Sequence, residues 1–550
     1  MRDANGDFQA FAWRWAMALT SQPSVTGSTD EAGFGSWLAD ALRKDPAFAG
    51  ASVWTFPVLP GDARHCVAML LRGQGAQTVI LTGHFDTVTF DDYGDLSALA
   101  TRPADLADAL RARLTLNAET SAEKRARADL ASGEFLPGRG LLDMKSGLAA
   151  GLAVAAAFAA EADRSGNLLF IAVPDEEANS AGARCAARQL PAIASRHGLD
   201  FIGAVNLDAI ADDGDGVTGR VIALGTVGKV LPTAFVVGVP VHSGFPLNGI
   251  NAAAVAAAIA ARVEWASELT DESATGPGTA PTLLSLRDGK AGYDVTAPAT
   301  AFATFNVLNY RRTPAEVLER FDRLCKEAVS DHLAALRHRV KQSRNTARVT
   351  EIPTAFPIYR YEAVEAAALA RDCSNGARLR ASAAVLAKGG MSLPEQCRLM
   401  TVEAWALSGL PGPAVVTGFG STPYLSTALS DKHAGRRMRA AAEAAAASAA
   451  ERHGTSVTCT DYFAGISDMS FFGEAEEADL TIVAKNTPLW REGVNWPDKN
   501  GIANIPTINI GPWGRDYHTP LERLHVGYAF DVVPQLIGEV VRTLFADDPK

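Results

Sequence analysis

The chain has 550 residues, 47% hydrophobic and 21% charged, with a formal net charge of -11. That length allows two or three domains and a substantial core, with the composition of an ordinary globular chain. The acidic balance and the lack of a Lys/Arg-rich block exclude nucleic-acid phosphate binding as the main role.

The six cysteines are widely spaced and form no Cys-x-x-Cys. This excludes a disulfide framework and a cysteine zinc site, so a reducing cytoplasm is expected. Residues 1–18 carry Arg2, Asp3, Asp7 and Arg14 and do not read as a signal peptide. The Ala runs at 149–160 and 252–261 read as too short to span a bilayer, so no membrane partner is expected.

In chain order, residues 8–18 and 31–43 read as helices, with Thr29 or Asp30 as the cap of the second. Strands follow near 51–57, 66–72 and 78–82. The last runs into Gly83-His84-Phe85-Asp86, and polar residues at the end of such a buried strand stand where open α/β sheets bind ligands. Residues 91–139 are polar and helical, a surface excursion on one face of the site.

Gly138-Arg139-Gly140 then leads through Asp143 into an Ala-rich helix ending near 162. A strand at 168–173 ends in Asp175-Glu176-Glu177, and one at 201–205 ends in Asn206-Leu207-Asp208. The repeated order of strand, acid and helix is the α/β pattern.

Beyond Asp208 the pattern changes. Strands at 220–224 and 233–239, His242, a helix at 251–269, a strand at 301–308 and a helix at 314–340 read as an inserted α+β module, with 345–352 as its last strand. Strands near 413–418, 479–485 and 506–511 and helices at 434–452 and 530–546 return to the α/β type. The expected division is 1–220, 221–352 and 353–550, the outer parts forming one catalytic domain. Gly214-Asp215-Gly216-Val217-Thr218-Gly219 fits G-x-G-x-x-G but precedes a strand-like run, so it reads as a turn rather than a dinucleotide site.

Singly, these histidines and acids are ordinary. Gathered in one cleft, His84, Asp86, Asp143, Glu176, Glu177, Asp208 and His518 would repel or be badly desolvated without a cation. Two divalent metals, one carboxylate bridging them, solve that problem.

The motifs Gly83-His84-Phe85-Asp86-Thr87-Val88, Gly138-Arg139-Gly140 through Asp143-Met144-Lys145-Ser146-Gly147, Asp175-Glu176-Glu177, Asp208, and Tyr517-His518 through Glu522 span nearly the whole chain. In that order they resemble the co-catalytic zinc hydrolases that include aminoacylase, carboxypeptidase G, acetylornithine deacetylase and succinyl-diaminopimelate desuccinylase. The length and the expansions at 91–139 and 355–460 resemble the arginine-utilisation (RocB-like) branch.

The resemblance implies a zinc-exopeptidase-like mixed sheet sandwiched by helices, with a smaller inserted α+β (ferredoxin-like) lid or dimerisation domain. It implies two divalent ions, zinc first and cobalt or manganese as alternatives. Asp143 would bridge them, His84 and Asp208 completing one site and Glu177 and His518 the other. Glu176 would be the general base and Asp86 the partner that orients the His84 imidazole. His242 would reach the substrate oxygen, from the twin subunit of a homodimer. Arg311 or Arg312 falls where the family binds a substrate carboxylate, although Asn309 stands in place of the family's acid.

The reaction expected is hydrolysis of an amide in a small peptide or N-acyl amino acid: a bridging water loses its proton to Glu176, attacks the carbonyl, and the proton passes to the leaving nitrogen. An N-carbamoyl or acyl-amino-acid hydrolase of amino-acid catabolism is the neighbouring alternative. A catalytically idle binding protein of the same fold is the alternative from another class; it would have no use for Glu176. Asp516 and His525 read as structural, as does Ser467-Asp468, although the latter resembles a loop near the family's site.

Overall fold

The computed structural model describes residues 5–212, 219–273, 276–342, 351–463, 465–475, 480–497 and 501–546. It forms two compact units. One comprises Met1–Thr226, Thr427–Ala475 and Lys499–Lys550, the other Val227–Ser426 and Glu476–Asp498.

The first unit is built on an eight-stranded mixed sheet. Its strands lie in the order Ser52–Pro57, His65–Leu71, Ser165–Val173, Gln74–His84, Asp200–Asn206, Thr507–Asn509, Val221–Ala223 and Thr458–Thr460. The four from Ser165–Val173 to Thr507–Asn509 are parallel. Their apolar runs are buried, as expected of strands covered on both faces. In register, His84 lies beside Val173, Thr82 beside Asn206, and Asn509 beside Asn206. The chain therefore leaves all four strands at the same edge, the edge where parallel sheets carry their sites.

Helix Ser146–Ala160 packs in the core with helices Asn5–Thr20 and Val533–Phe545. Its small residues are needed for close approach: a Cβ on Gly147 would lie 2.0 Å from the Leu207 carbonyl oxygen. Leu141–Ala160 is long and apolar enough to cross a bilayer, contrary to the sequence expectation, because Leu141, Leu142 and Met144 extend the Ala run; 89% of that window is buried within the chain, as for a core helix. Ser28, rather than Thr29 or Asp30, caps helix Thr29–Lys44, its hydroxyl accepting the Glu31 N–H at 3.2 Å.

In the second unit the sheet order is Gly228–Val230, Thr300–Asn309, Pro232–Val237, Ala414–Phe419 and Ile358–Arg360; Thr282–Asp288 also pairs with Thr300–Asn309. Alternate residues face opposite ways. Ala234, Val236, Ala303 and Val415 join helices Ala252–Val263 and Pro314–Gln342 in one core. Phe235, Phe302 and Val416 join helices Tyr361–Arg371, Asn375–Leu386 and Leu393–Ser408 in another. The sheet is thus covered on both faces.

Three sequence expectations change here. Residues 353–426 belong to the second unit, because Ala414–Phe419 pairs with Pro232–Val237, a long-range partnership that no local pattern encodes. Val221–Ala223 instead joins the first unit's sheet. Residues 480–486 are a helix, not a strand; Leu480 and Val483 are buried at helical spacing, and so short an apolar run fits either reading. The strand expected at 345–352 falls mostly outside the described residues, as does the G-x-G-x-x-G turn apart from Gly219.

Candidate metal centre

His84 closes the strand Gln74–His84 and is 2% exposed. Its Nε2 lies 3.2 Å from Asp143 Oδ1, 3.6 Å from Asp208 Oδ1 and 3.9 Å from Glu176 Oε2. His518 Nε2 lies 3.1 Å from Asp143 Oδ2 and 3.1 Å from Glu177 Oε1. Asp143 therefore presents one carboxylate oxygen to each histidine. The expected sets, His84 with Asp208 and His518 with Glu177, meet at this residue.

Each side chain is held from its own element. Asp143 lies in the turn Leu141–Lys145 ahead of helix Ser146–Ala160. Gly140 opens that turn at φ +74°, where a Cβ would also meet the Thr87 methyl at 2.5 Å, so glycine is required. Asp208 is pinned by Asn509, whose amide donates to the Asp208 carbonyl at 2.9 Å while its Oδ1 accepts the Asp208 N–H at 3.1 Å.

Asp86 meets His84 more closely through its backbone than through its side chain. Its main-chain carbonyl lies 3.0 Å from His84 Nδ1, in position to accept that proton, whereas its carboxylate stands 3.6 Å away. The carboxylate instead accepts the N–H groups of Glu176 and Glu177 at 3.1 and 3.2 Å and the Thr26 hydroxyl at 2.8 Å. Asp86 thus orients the ring through its backbone and sets the Glu176–Glu177 turn through its side chain.

Burial pushes Glu176 well above the usual carboxylate range and raises Glu177 and Asp208. Burial opposes protonation of His84, but Asp143, Asp208 and Asp86 outweigh it and raise the imidazole well above its ordinary value. His518, likewise partly desolvated, is pushed up to about 10 by Asp143 and Glu177.

Ligand atoms of His84, Asp143 and Glu177 lie within 4.8 Å of one another, and Asp143 Oδ1 is buried without a hydrogen-bond partner. Nitrogen and oxygen donors so placed fit a divalent ion of the zinc, cobalt or manganese type. The carboxylates raise both imidazoles, so cation binding should expel protons and weaken as pH falls. Calorimetric metal titrations in buffers of different ionisation heat should show net proton release; identical heats in all buffers would contradict this.

Two residues were underestimated from sequence. Asp468 is 1% exposed with neither carboxylate oxygen hydrogen-bonded. Burial, with Asp208 and Asp86 nearby and only partly offset by His84, pushes it up to about 7. Tyr517 is exposed, and its ring lies edge-on against the His518 imidazole with centroids 5.0 Å apart. Its place beside His518 was the available signal.

His242, Arg311 and Arg312 lie in the second unit and are not among the residues the first unit gathers. His242 is exposed, and its Nδ1 accepts the Gly244 N–H at 3.0 Å, leaving Nε2 as the outward donor. Asp271 accepts the N–H groups of Tyr310, Arg311 and Arg312, and Arg312 donates to the Thr270 carbonyl at 2.6 Å. Arg312 is thereby used within its own turn, while Arg311 is exposed. Asp516 and His525 are structural: Asp516 accepts from Arg523, and His525 accepts the Tyr528 N–H.

The chain is 28% identical over 534 residues to the uncharacterized protein YqjN of Bacillus subtilis (strain 168), covering 96% of this chain and 95% of that one. It is 26% identical over 552 residues to protein RocB of the same organism, covering 97% and 96%. The di-peptidase Dug1p from Saccharomyces cerevisiae shares the fold, with a TM-score of 0.53 at 11% identity over 99% of this chain and 98% of that one. The sequence pattern of Peptidase family M20/M25/M40 matches residues 119–487, starting after His84 and stopping before His518. More than half of the chain is thereby covered, so the chain belongs to peptidase family M20/M25/M40, a metal-dependent hydrolase of C–N bonds.

Proposed function

We propose that the protein is a dinuclear hydrolase of small peptides or N-acyl amino acids, with zinc as the first candidate metal and cobalt or manganese as alternatives. The observation that carries this reading is Asp143, whose two oxygens each face a different histidine at 3.2 and 3.1 Å. His84 and Asp208 would hold one ion, Glu177 and His518 the other, and Asp143 both.

When bound, the pair of ions would supply an acidified water and polarise the substrate carbonyl. Glu176 is half-buried beside these ligands and raised by desolvation, so it is suited to take the water's proton and deliver it to the leaving nitrogen. Asp86 keeps Glu176 in place through the backbone N–H. His242, with its outward Nε2, would donate to the oxyanion. Arg311 remains the candidate for a substrate carboxylate. The six unpaired cysteines suit a cytoplasmic setting.

The dimer belongs to the same proposal. Strand Thr282–Asp288 exposes Leu284 and Leu286 at 55% and 41% and pairs, among the described residues, only with Thr300–Asn309. Such an edge calls for cover, and a twofold partner would provide it. We expect His242 to serve the partner's centre.

Dipeptides, N-acyl and N-carbamoyl amino acids assayed with each metal identify the substrate. Mixing His242→Ala with Glu176→Gln chains then tests the shared site: neither homodimer should turn over well, while each heterodimer, holding one intact site of two, should recover up to about half of a wild-type dimer's activity. Full activity of a monomer, or no recovery after verified subunit exchange, would remove His242 from the partner's site.

A further inference from the structure

His518 sits on the loop joining strands Trp513–Arg515 and Arg523–His525. Its side chain is 41% exposed, and the loop holds His518 at φ +62° and Asp516 at +54°. Residues other than glycine keep such conformations only where their surroundings over-determine them. Here the surroundings are ionic.

Arg523 reaches across the loop from Nη1 to Asp516 Oδ2 at 2.6 Å. Its Nε donates to Asp129 Oδ2 at 2.7 Å, and Arg515 Nη1 donates to Asp129 Oδ1 at 2.8 Å. One carboxylate on helix Ser121–Ser132 therefore holds both strands of the hairpin.

At the end of the loop, Glu522 accepts from Arg139 Nη1 at 2.7 Å and from the Gly140 N–H at 3.1 Å. Arg139 Nη2 donates to Asp92 at 2.7 Å. The side chains of Arg139, Arg523 and Glu522 are 1%, 1% and 0% exposed. Gly140 opens the turn that carries Asp143. The two loops contributing Asp143 and His518 are thus tied to each other, and both are tied to segment 91–139.

We propose that segment 91–139 is a brace for the metal centre, with Asp129 as the remote positioning residue that fixes His518. Buried, multiply bonded ion pairs fix geometry more than they add stability. Residues that orient a ligand without touching the metal commonly alter its affinity. The inference rests on the dinuclear reading above.

The test is zinc titration of the full-length apo-protein against a competing chelator. Wild type should take up two ions. Asp129→Asn should bind one of them about 10- to 100-fold more weakly, the range for lost outer-shell partners, and leave the other within about twofold. Its turnover should recover at high zinc, which a general packing defect would not allow. Asp129→Glu, which keeps the charge if the amide variant folds poorly, should fall between the two. Asp105→Asn is the control: it lies on the same segment, is 58% exposed, and pairs with Arg102.

Equal affinities in Asp129→Asn and wild type would overturn the brace. So would equal weakening of both ions in Asp129→Asn with no recovery in Asp129→Glu. Uptake of a single ion by wild type would instead overturn the dinuclear reading, and the brace with it.

Discussion

Glu176→Gln should lower turnover by about a hundredfold or more while leaving metal content unchanged, because general-base contributions are of that order. The amide is nearly isosteric with the carboxylate but cannot accept the water's proton. The backbone of residue 176 is held by Asp86 through its N–H, so the substitution should not move the turn. Glu177→Gln is the paired control. Its Oε1 lies 3.1 Å from His518 Nε2, so metal affinity should fall, and excess metal should restore activity. A Glu176→Gln enzyme that stayed fully active on a verified substrate would remove Glu176 from the proposed role. It would also revive the idle-scaffold alternative for that residue.

The second large effect concerns Asp143. Wild type should carry two divalent ions per chain, and Asp143→Ala should retain neither at stoichiometric loading. Activity should then drop by roughly a thousandfold or more, since the ions supply both the acidified water and the carbonyl polarisation. The reason lies in geometry: Oδ1 faces His84 and Oδ2 faces His518, so one substitution removes a ligand from both positions. Asp208→Ala should cost chiefly the ion shared with His84, because Asp208 Oδ1 lies 3.6 Å from His84 Nε2. Elemental analysis with chelator competition distinguishes the two variants. Two ions retained in Asp143→Ala would exclude a bridging role. Loss of both in Asp208→Ala would show that the positions are not separable.

Local order was legible from sequence. The buried runs ending in His84, Asp175-Glu176-Glu177 and Asp208 announced parallel strands with their polar residues at one sheet edge, because strand periodicity and the chain's exit from a buried strand are local properties. The small residues of the helix after Asp143 announced close packing, and Gly147 meets the Leu207 carbonyl. That acids and histidines gathered there would need a cation followed from charge; which of them gather was what the resemblance implied.

What tertiary structure decided are partnerships between residues far apart in the chain. Arg139 and Glu522 are 383 residues apart, and Asp129 and Arg523 are 394 apart. Nothing in either neighbourhood says that they meet. The same holds for Ala414–Phe419, whose pairing with Pro232–Val237 draws residues 353–426 into the second unit. Asp86 is the finest case. Its place two residues after His84 indicated a partner for the imidazole, but a backbone carbonyl and a side-chain carboxylate leave one residue in different directions. Only the fold sends the first to His84 and the second to the N–H groups of Glu176 and Glu177. Sequence thus determined which groups could do the chemistry, through residue type and local periodicity. Packing determined what holds them, because hydrogen bonds and ion pairs depend on distances that the order of residues does not contain.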